Sequence, residues 1–469
     1  MDPNSQLLEN PGQWQQGQVV EITIENISDQ GDGVGKFQGR AVFVPDTVTG
    51  DRLLVRLMKV KREYAHGKVQ KIIEPSSYRI RPNCIVADKC GGCQWQHIDY
   101  AYQLQAKQDQ VEQALIRIGH LANPPVLPIL GSTPLGYRNK STYPVKRSAT
   151  GQVQAGYYQK GSHLLVNLNQ CPVQDSRLNP LLAEIKLDIQ ARGWSIYDET
   201  KHQGRLRHLS LRIGIATGEM LLTLISTSPD LTGLEAQAEE WLEKYPSLVG
   251  VLINVNSDRT NAIFGQSTHC VAGRPYLREK FAGLDWELLA DTFFQIHPEA
   301  AATLLGVIQD QLQLTGTELL LDAYCGIGTF TLPLASLVEQ AIGLEIQPQA
   351  VEQAQRNAEL NQISNITFQQ GKVEELLPRL EKTPDVVILD PPRQGCDRQV
   401  LATIIAQQPD SPRERLRQRL VYVSCKPATL ARDLEILTQG GYTLEKVQPV
   451  DFFPQTAHVE SVAFLTKNF

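Results

Sequence analysis

LLLDAYCGIGTFTL, from Leu319 to Leu332, reads as a buried strand that ends in a glycine turn and opens into a helix. Outward from it, strand-like and helix-like patterns alternate. WELLADTFFQIHP (Trp286 to Pro298) predicts a strand ending at Gln295, and Pro298 suits the first turn of a helix over EAAATLLGVIQDQL. AIGLEI, NITFQQ, DVVILD and RLVYVSC follow at intervals, and a meander through FFPQTAHVESVAFLTK closes the series. Such alternation predicts a parallel, doubly wound α/β sheet, which binds ligands at the carboxyl ends of its strands.

The turn carries Gly326 and Gly328 but not the third glycine of the pyrophosphate fingerprint. About twenty residues on, AIGLEI ends in Glu345, where an acidic residue at the second strand's tip holds ribose hydroxyls. An adenosyl ligand without phosphates, S-adenosylmethionine, fits both observations; a tight corner would explain the glycines alone.

Two further strand tips carry chemistry. DPPRQGC (Asp390 to Cys396) follows VVILD, so Asp390 can accept hydrogen bonds from a ligand while two prolines stiffen the loop. VYVSCKPATLARDL (Val421 to Leu434) delivers Cys425 just before a helix opening on Pro427, where the dipole and Lys426 favour a thiolate. Cys325 and Cys396 fall near the same crevice, so a thiol alone proves little. HVESV (His458 to Val462) places Glu460 at the start of the last strand, as a general base or as a solvent-facing residue.

The remainder of the 469 residues is long enough for about two more domains. No run of about 18 apolar residues appears, which excludes a membrane-spanning helix, and the polar start MDPNSQLLENPGQ leads us to expect a cytoplasmic protein. A net charge of -6 gives no global attraction to nucleic acid, so such a surface must be local. QVVEITIENI (Gln18 to Ile27), AVFV (Ala41 to Val44) and a strand from Leu53 suggest a small barrel. Its last strands carry Arg52, Arg56, Lys59, Lys61, Arg62, Lys68 and Lys71, with Tyr64 and His66 among them. That is a footprint of single-strand nucleic-acid binding, or a solvated face. CIVADKCGGCQW then brings Cys84, Cys90 and Cys93 together, with Cys171 the best distant fourth. Thiol-only ligation of this kind suits a cubane iron–sulfur cluster at least as well as zinc. Tyr100 to Leu121 has helical spacing, and GYRNKSTYPVKR (Gly136 to Arg147) interleaves cations with tyrosines, a mix suited to RNA. The strand runs from His163 to Val255, with helical spacing from Leu234 to Tyr245, predict an α+β middle domain.

YCGIGTFTL, GLEI, LDPPRQGC, VYVSCKPATLARDL and FFPQTAHVE together resemble the RNA (uracil-5-)-methyltransferase family, as do CGGCQW and FFQIHP upstream. The N-terminal barrel is similar to a TRAM domain. The resemblance runs from about Gln18 to Lys467. It implies a Rossmann-like methyltransferase domain (281–469), a central α+β domain with an iron–sulfur cluster (74–280) and an RNA-binding, OB-like TRAM barrel (12–73). It implies that Cys425 attacks C6 of a uracil and that Glu460 removes the C5 proton. Gln295, Tyr324, Glu345 and Asp390, with the turn glycines, would bind S-adenosylmethionine, and Cys84, Cys90, Cys93 and Cys171 would hold a [4Fe–4S] cluster. Some members carry Asn at the place of Thr329 and a polar amide at that of Lys372, so contacts at those two positions do not transfer. Among the family's branches, the barrel and cluster resemble the 23S rRNA enzymes, with tRNA the alternative substrate and a monomer expected. Rival readings are an amino-group methyltransferase, which needs no thiol, and a non-catalytic iron–sulfur RNA-binding protein.

Overall fold

The structure, a computed structural model, describes residues 14–408 and 417–468. Residues 12 and 13 of the expected barrel span, and 409–416 and 469 of the expected catalytic span, lie outside the described residues.

β1 (Val19–Ile27), β2 (Gly33–Phe37), β3 (Arg40–Val44), β4 (Arg52–Val60) and β5 (Tyr64–Glu74) close into a barrel in the order β1-β2-β3-β5-β4. Period-two alternation explains the closure. Ile22, Ile24, Val42, Val44, Leu53, Val55 and Leu57 fill the interior, while all seven cations from Arg52 to Lys71 point outward and are exposed. With residues up to Asp88, Cys93–Ala106 and Gln455–Ala457, the barrel forms one compact unit. Its second small core gathers Val48, Trp95, Ile98 and Ala457.

The remaining residues form the second unit. α1 (Tyr100–Arg117), whose first residues belong to the first unit, is helical as its spacing predicts but stops short of Leu121. Next come β6 (Lys140–Arg147), β7 (Val153–Tyr158), β8 (Leu165–Asn167), α2 (Leu178–Ala191), β9 (Leu206–Ile213), β10 (Met220–Ser226), α3 (Leu234–Lys244), β11 (Leu248–Val255) and β12 (Ser267–Gly273). The strands make a mixed sheet in the order β12-β11-β10-β9-β6-β7-β8. β13 (Tyr276–Phe281) and β14 (Leu284–Leu289) pair as a separate hairpin. The strand expected to reach Gln295 therefore stops at Leu289. Beyond it the backbone bonds to side chains rather than to a neighbouring strand. Arg212 donates to the carbonyls of Leu289 and Thr292, and Lys140 Nζ donates to that of Ala290 at 2.7 Å.

The C-terminal half comprises α4 (Pro298–Leu312), β15 (Leu319–Asp322), α5 (Thr331–Ala335), β16 (Gln340–Glu345), α6 (Pro348–Leu360), β17 (Ile366–Gln370), α7 (Val373–Leu376), β18 (Val386–Leu389), α8 (Arg398–Ala406), β19 (Arg417–Ser424), α9 (Pro427–Gln439), β20 (Thr443–Val450) and β21 (Glu460–Asn468). Pro298 is indeed the first residue of α4. The sheet order is β17-β16-β15-β18-β19-β21-β20. It is parallel as far as β19, and β21 enters antiparallel between β19 and β20. Alternate residues feed two cores. Leu320, Ile388 and Val421 face one layer with Leu304 and Ile308 of α4; Leu321, Val387 and Leu420 face the other with Leu401 of α8 and Leu430 of α9. A sheet buried on both faces explains why these strands read as unbroken apolar runs.

Candidate active site

Parallel strands point their carboxyl ends to one edge, so Asp322, Glu345, Asp390 and Cys425 arrive there at the ends of β15, β16, β18 and β19. β21 runs the other way and therefore starts at that edge. Its register pairs Ser461 with Ser424, which sets Glu460 beside Cys425. Two residues far apart in sequence thus meet through strand pairing rather than through any local motif.

The cup beside β15 and β16 is rich in carboxylates. The Glu345 carboxylate accepts from the backbone N–H of Gly326 at 3.1 Å and of Gln347 at 2.8 Å, folding the glycine turn against the second strand. Gly326 and Gly328 both have positive φ, and a Cβ on Gly326 would enter open space. Asp322 accepts from Thr331 Oγ1 at 2.5 Å. Burial pushes its carboxyl up to about 6, and burial with Asp322 nearby pushes Asp390 up to about 7. Tyr324 is half-buried, its hydroxyl raised by burial and by Cys396. Gln295 is also half-buried, its carbonyl held by Asn139 Nδ2 at 3.0 Å. The cup therefore concentrates anionic groups whose charge a cationic ligand would relieve.

Three thiols lie in this half, and the structure separates them. Cys325 and Cys396 are buried, and burial raises both, Cys396 to about 12. Cys425 is only half-buried. The helix end and Lys426 led to the expectation of a lowered thiol; its pKa is instead raised, first by loss of water and then by Glu460 and Asp390. Against these stands Arg393, which hydrogen-bonds the Cys425 thiol and lowers it. Glu460 is buried, not solvent-facing, and is held well above the usual carboxylate range by burial and Asp390, again opposed by Arg393. Arg393 is thus the cation common to Cys425 and Glu460, and sequence reasoning gave it no role.

Its loop is built for that position. Cys396 N–H donates to Asp433 Oδ2 of α9 at 2.9 Å, and Tyr422 Oη of β19 donates to the same oxygen at 2.5 Å. Gly395 has φ +82°, and a Cβ there would meet Asp433 Oδ2 at 2.5 Å. The positive φ and the crowding side chains of Arg432 and Asp433 favour glycine at that place in the DPPRQGC turn. The glycine before the cysteine and the Asp in ARDL were the available signals.

The four upstream cysteines are divided between the two units. In one unit the Gln96 side chain donates to Cys93 Sγ at 3.5 Å and accepts from Cys84 N–H at 3.1 Å. In the other, Cys90 and Cys171 are buried and both act electrostatically on Tyr157. Among the described residues no three His, Cys, Asp or Glu side chains form a group that could hold a metal ion. Arg138 faces Cys171 as well as three tyrosines, and Lys140 reaches Ala290 and the Phe264 ring. Neither cation is free for RNA in the way the sequence suggested. No helix among the described residues is long and apolar enough to cross a membrane.

Comparison with known proteins adds the following. Residues 99–468 match the family described as tRNA (uracil-5-)-methyltransferase, and residues 13–70 match the TRAM domain. An uncharacterized RNA methyltransferase of Nostoc sp. (strain PCC 7120) is 63% identical over 454 residues, covering 96% of this chain and 97% of that protein. One from Bacillus cereus (strain ATCC 14579) is 39% identical over 455 residues, 96% of this chain and 97% of that protein. The crystal structure of the Pyrococcus abyssi tRNA (uracil-54, C5)-methyltransferase with S-adenosyl-L-homocysteine superposes with a TM-score of 0.76 at 25% identity, covering 95% of this chain and 99% of that one.

Proposed function

Since the chain belongs to the tRNA (uracil-5-)-methyltransferase family, we propose that Cys425 attacks C6 of a uracil in RNA and that Glu460 removes the C5 proton. Its activity is S-adenosylmethionine-dependent methylation of RNA at uracil C5. The observation that supports the mechanism is the register of β19 and β21, which pairs Ser424 with Ser461 and so brings Cys425 next to Glu460, with Arg393 lowering both groups.

C5 of uracil is a weak nucleophile until a group adds to C6. The Cys425 thiolate makes that addition, with Arg393 offsetting its charge before attack. S-adenosylmethionine supplies the electrophilic methyl group that C5 accepts. Glu460, in its ionised form, takes the C5 proton, and the Cys425–C6 bond breaks to restore the free thiol. Gln295, Tyr324, Gly326, Gly328, Glu345 and Asp390 hold the methyl donor: Glu345 for the ribose, Asp390 in the anionic cup that offsets a sulfonium charge. A stacked base must be turned out of its helix to reach Cys425, costing a few kcal/mol. The exposed cations of the barrel are the residues to repay it through phosphate contacts.

In RNA carrying 5-fluorouridine the C5 fluorine cannot leave as a proton, so a stable covalent adduct should form with S-adenosylmethionine present. Cys425→Ala should form none. An RNA that is methylated without any adduct would sink the mechanism.

We take the substrate to be 23S rRNA and the enzyme to be a cytoplasmic monomer. Comparing 5-methyluridine in rRNA and tRNA from a deletion strain tests the substrate; loss from tRNA alone reverses it. Cys84, Cys90, Cys93 and Cys171 are assigned to a [4Fe–4S] cluster because thiolate-only ligation suits it, two of them flank a Gly-Gly turn, and Arg138 faces Cys171 with positive charge. The group would contribute structure, since the net reaction moves no electrons. Anaerobically purified protein should contain iron; stoichiometric zinc without iron would overturn the assignment.

A further inference from the structure

Away from the strand tips, the middle sheet holds a cavity of about 240 Å³ at the Pro144–Lys146 end of β6. Its walls are two cation–tyrosine pairs. Lys146 Nζ lies 5.0 Å from the Tyr158 ring centre, and the Arg207 guanidinium lies 4.9 Å from that of Tyr197. Arg259 and His208 complete the lining.

Three features separate this from an incidental surface dent. Arg207 is 93% buried in a protein interior yet lines the cavity, clamped by the carbonyls of Asn256 and Asp258 at 2.8 Å each and of Thr260 at 3.1 Å. Its Nε has no partner, and neither does Nδ1 of His208 across β9. A buried polar atom left unpaired is costly and points to a partner that the free protein lacks. The charge balance is the third: Lys146, Arg207 and Arg259 face one carboxylate, Glu199, which already accepts from Lys146 at 2.9 Å. Burial and Arg207 drive His208 down to about 4, so at neutral pH it is an uncharged ring able to read a base edge. Flat aromatic walls, guanidinium groups and a neutral imidazole are the chemistry that holds a base with its phosphate.

We propose that this cavity binds a nucleotide of the RNA strand flanking the target uridine, stacked on Tyr158 or Tyr197 with its phosphate on Arg259. The inference rests on the RNA methylation reading and adds a second anchoring point to it. It gives the middle domain a part in substrate choice, since a base held here fixes which uridine reaches Cys425.

The test uses the full-length protein and a transcript that the wild type methylates. Tyr158→Ala and, at an exposed rim position that folding does not need, Arg259→Glu should each raise KM for RNA about tenfold, the order expected for losing a stacked base or a phosphate contact. Affinity for S-adenosylmethionine and the kcat at saturating RNA should stay at wild-type values. A transcript with 4-thiouridine beside the target should photocrosslink to a peptide containing Tyr158 or Tyr197. Unchanged KM in both variants, or crosslinks mapping only elsewhere, would overturn the proposal while leaving the methylation reading intact. So would saturable binding of free adenosine or uridine monophosphate to the cavity with RNA affinity unaltered in the variants. A wild type that methylates no RNA sinks both.

Discussion

At the scale of single residues, the site is an electrostatic balance in which Arg393 holds the deciding place. Burial and neighbouring carboxylates raise Cys425 and Glu460, and Arg393 lowers both. In the proposed mechanism both groups must be deprotonated to act, so kcat/KM should climb with pH. Removing the cation raises an acid's pKa, so in Arg393→Gln that rising limb should move to higher pH, with activity at pH 7 down at least about tenfold. A pH–rate profile with an unmoved limb would refute this role. Asp390 makes a second case. Its folded pKa of about 7 lies above the ordinary 3.8, so between those values the native state holds more protons than the unfolded one. By linkage its contribution to stability is fully present below pH 4 and is lost as pH rises towards 7. Asp390→Asn, always neutral, should therefore melt with the wild type near pH 4 and above it at pH 8 by about 2 °C or more, while losing affinity for the methyl donor. Equal melting temperatures at both pH values would show that the carboxyl is not strained by its surroundings. Residues such as Glu345 and Cys425 were legible in the sequence because each caps an apolar run. Arg393 was not, because its place depends on Gly395 and on Asp433, 37 residues beyond Cys396.

At the scale of elements, side chains set where strands end and how loops are aimed. Lys107 in α1 is fully buried and donates to Asp451 Oδ1 at 2.6 Å and to the Phe453 carbonyl at 3.0 Å, fixing the chain just after β20 on its way to Glu460. Lys107→Met leaves Asp451 as an uncompensated buried charge and should cost about 3–5 kcal/mol in urea unfolding, with Lys107→Met/Asp451→Leu recovering most of it. A cost of under about 1 kcal/mol for the single variant would mean that water reaches the pair. The segment carrying Gln295 obeys the same logic. The run up to Gln295 looks like one strand because its apolar residues alternate; what stops the strand is Arg212 and Lys140, more than a hundred residues upstream in part, taking the carbonyls a partner strand would need. Apolar periodicity records which side chains are buried and is silent about who takes the backbone.

For the whole molecule, the α/β class and the N-terminal barrel could be read in advance, since a closed barrel and a sheet covered on both faces each leave a distinct apolar period. The cavity of the middle sheet could not, because its two cation–tyrosine pairs join β6, β7, β9 and the turn near Tyr197, which no spacing links. The insertion of β21 between β19 and β20 carries a further consequence. The strand that carries Glu460, the proposed base, is also the one that joins the sheet's last strand to the rest, so it must thread into place after both neighbours have been synthesised. Chain topology of this sort forms late, because the entropy of closing the loop is spent before any contact rewards it. On the proposed reading the methyl-donor cup is built by β15, β16, β18 and the segment at Gln295, so a folding intermediate lacking β21 could bind the donor yet have no means of completing a turnover. Catalysis is thereby a report of finished folding, and an incompletely folded copy would be a silent competitor for S-adenosylmethionine rather than a careless methylator of RNA.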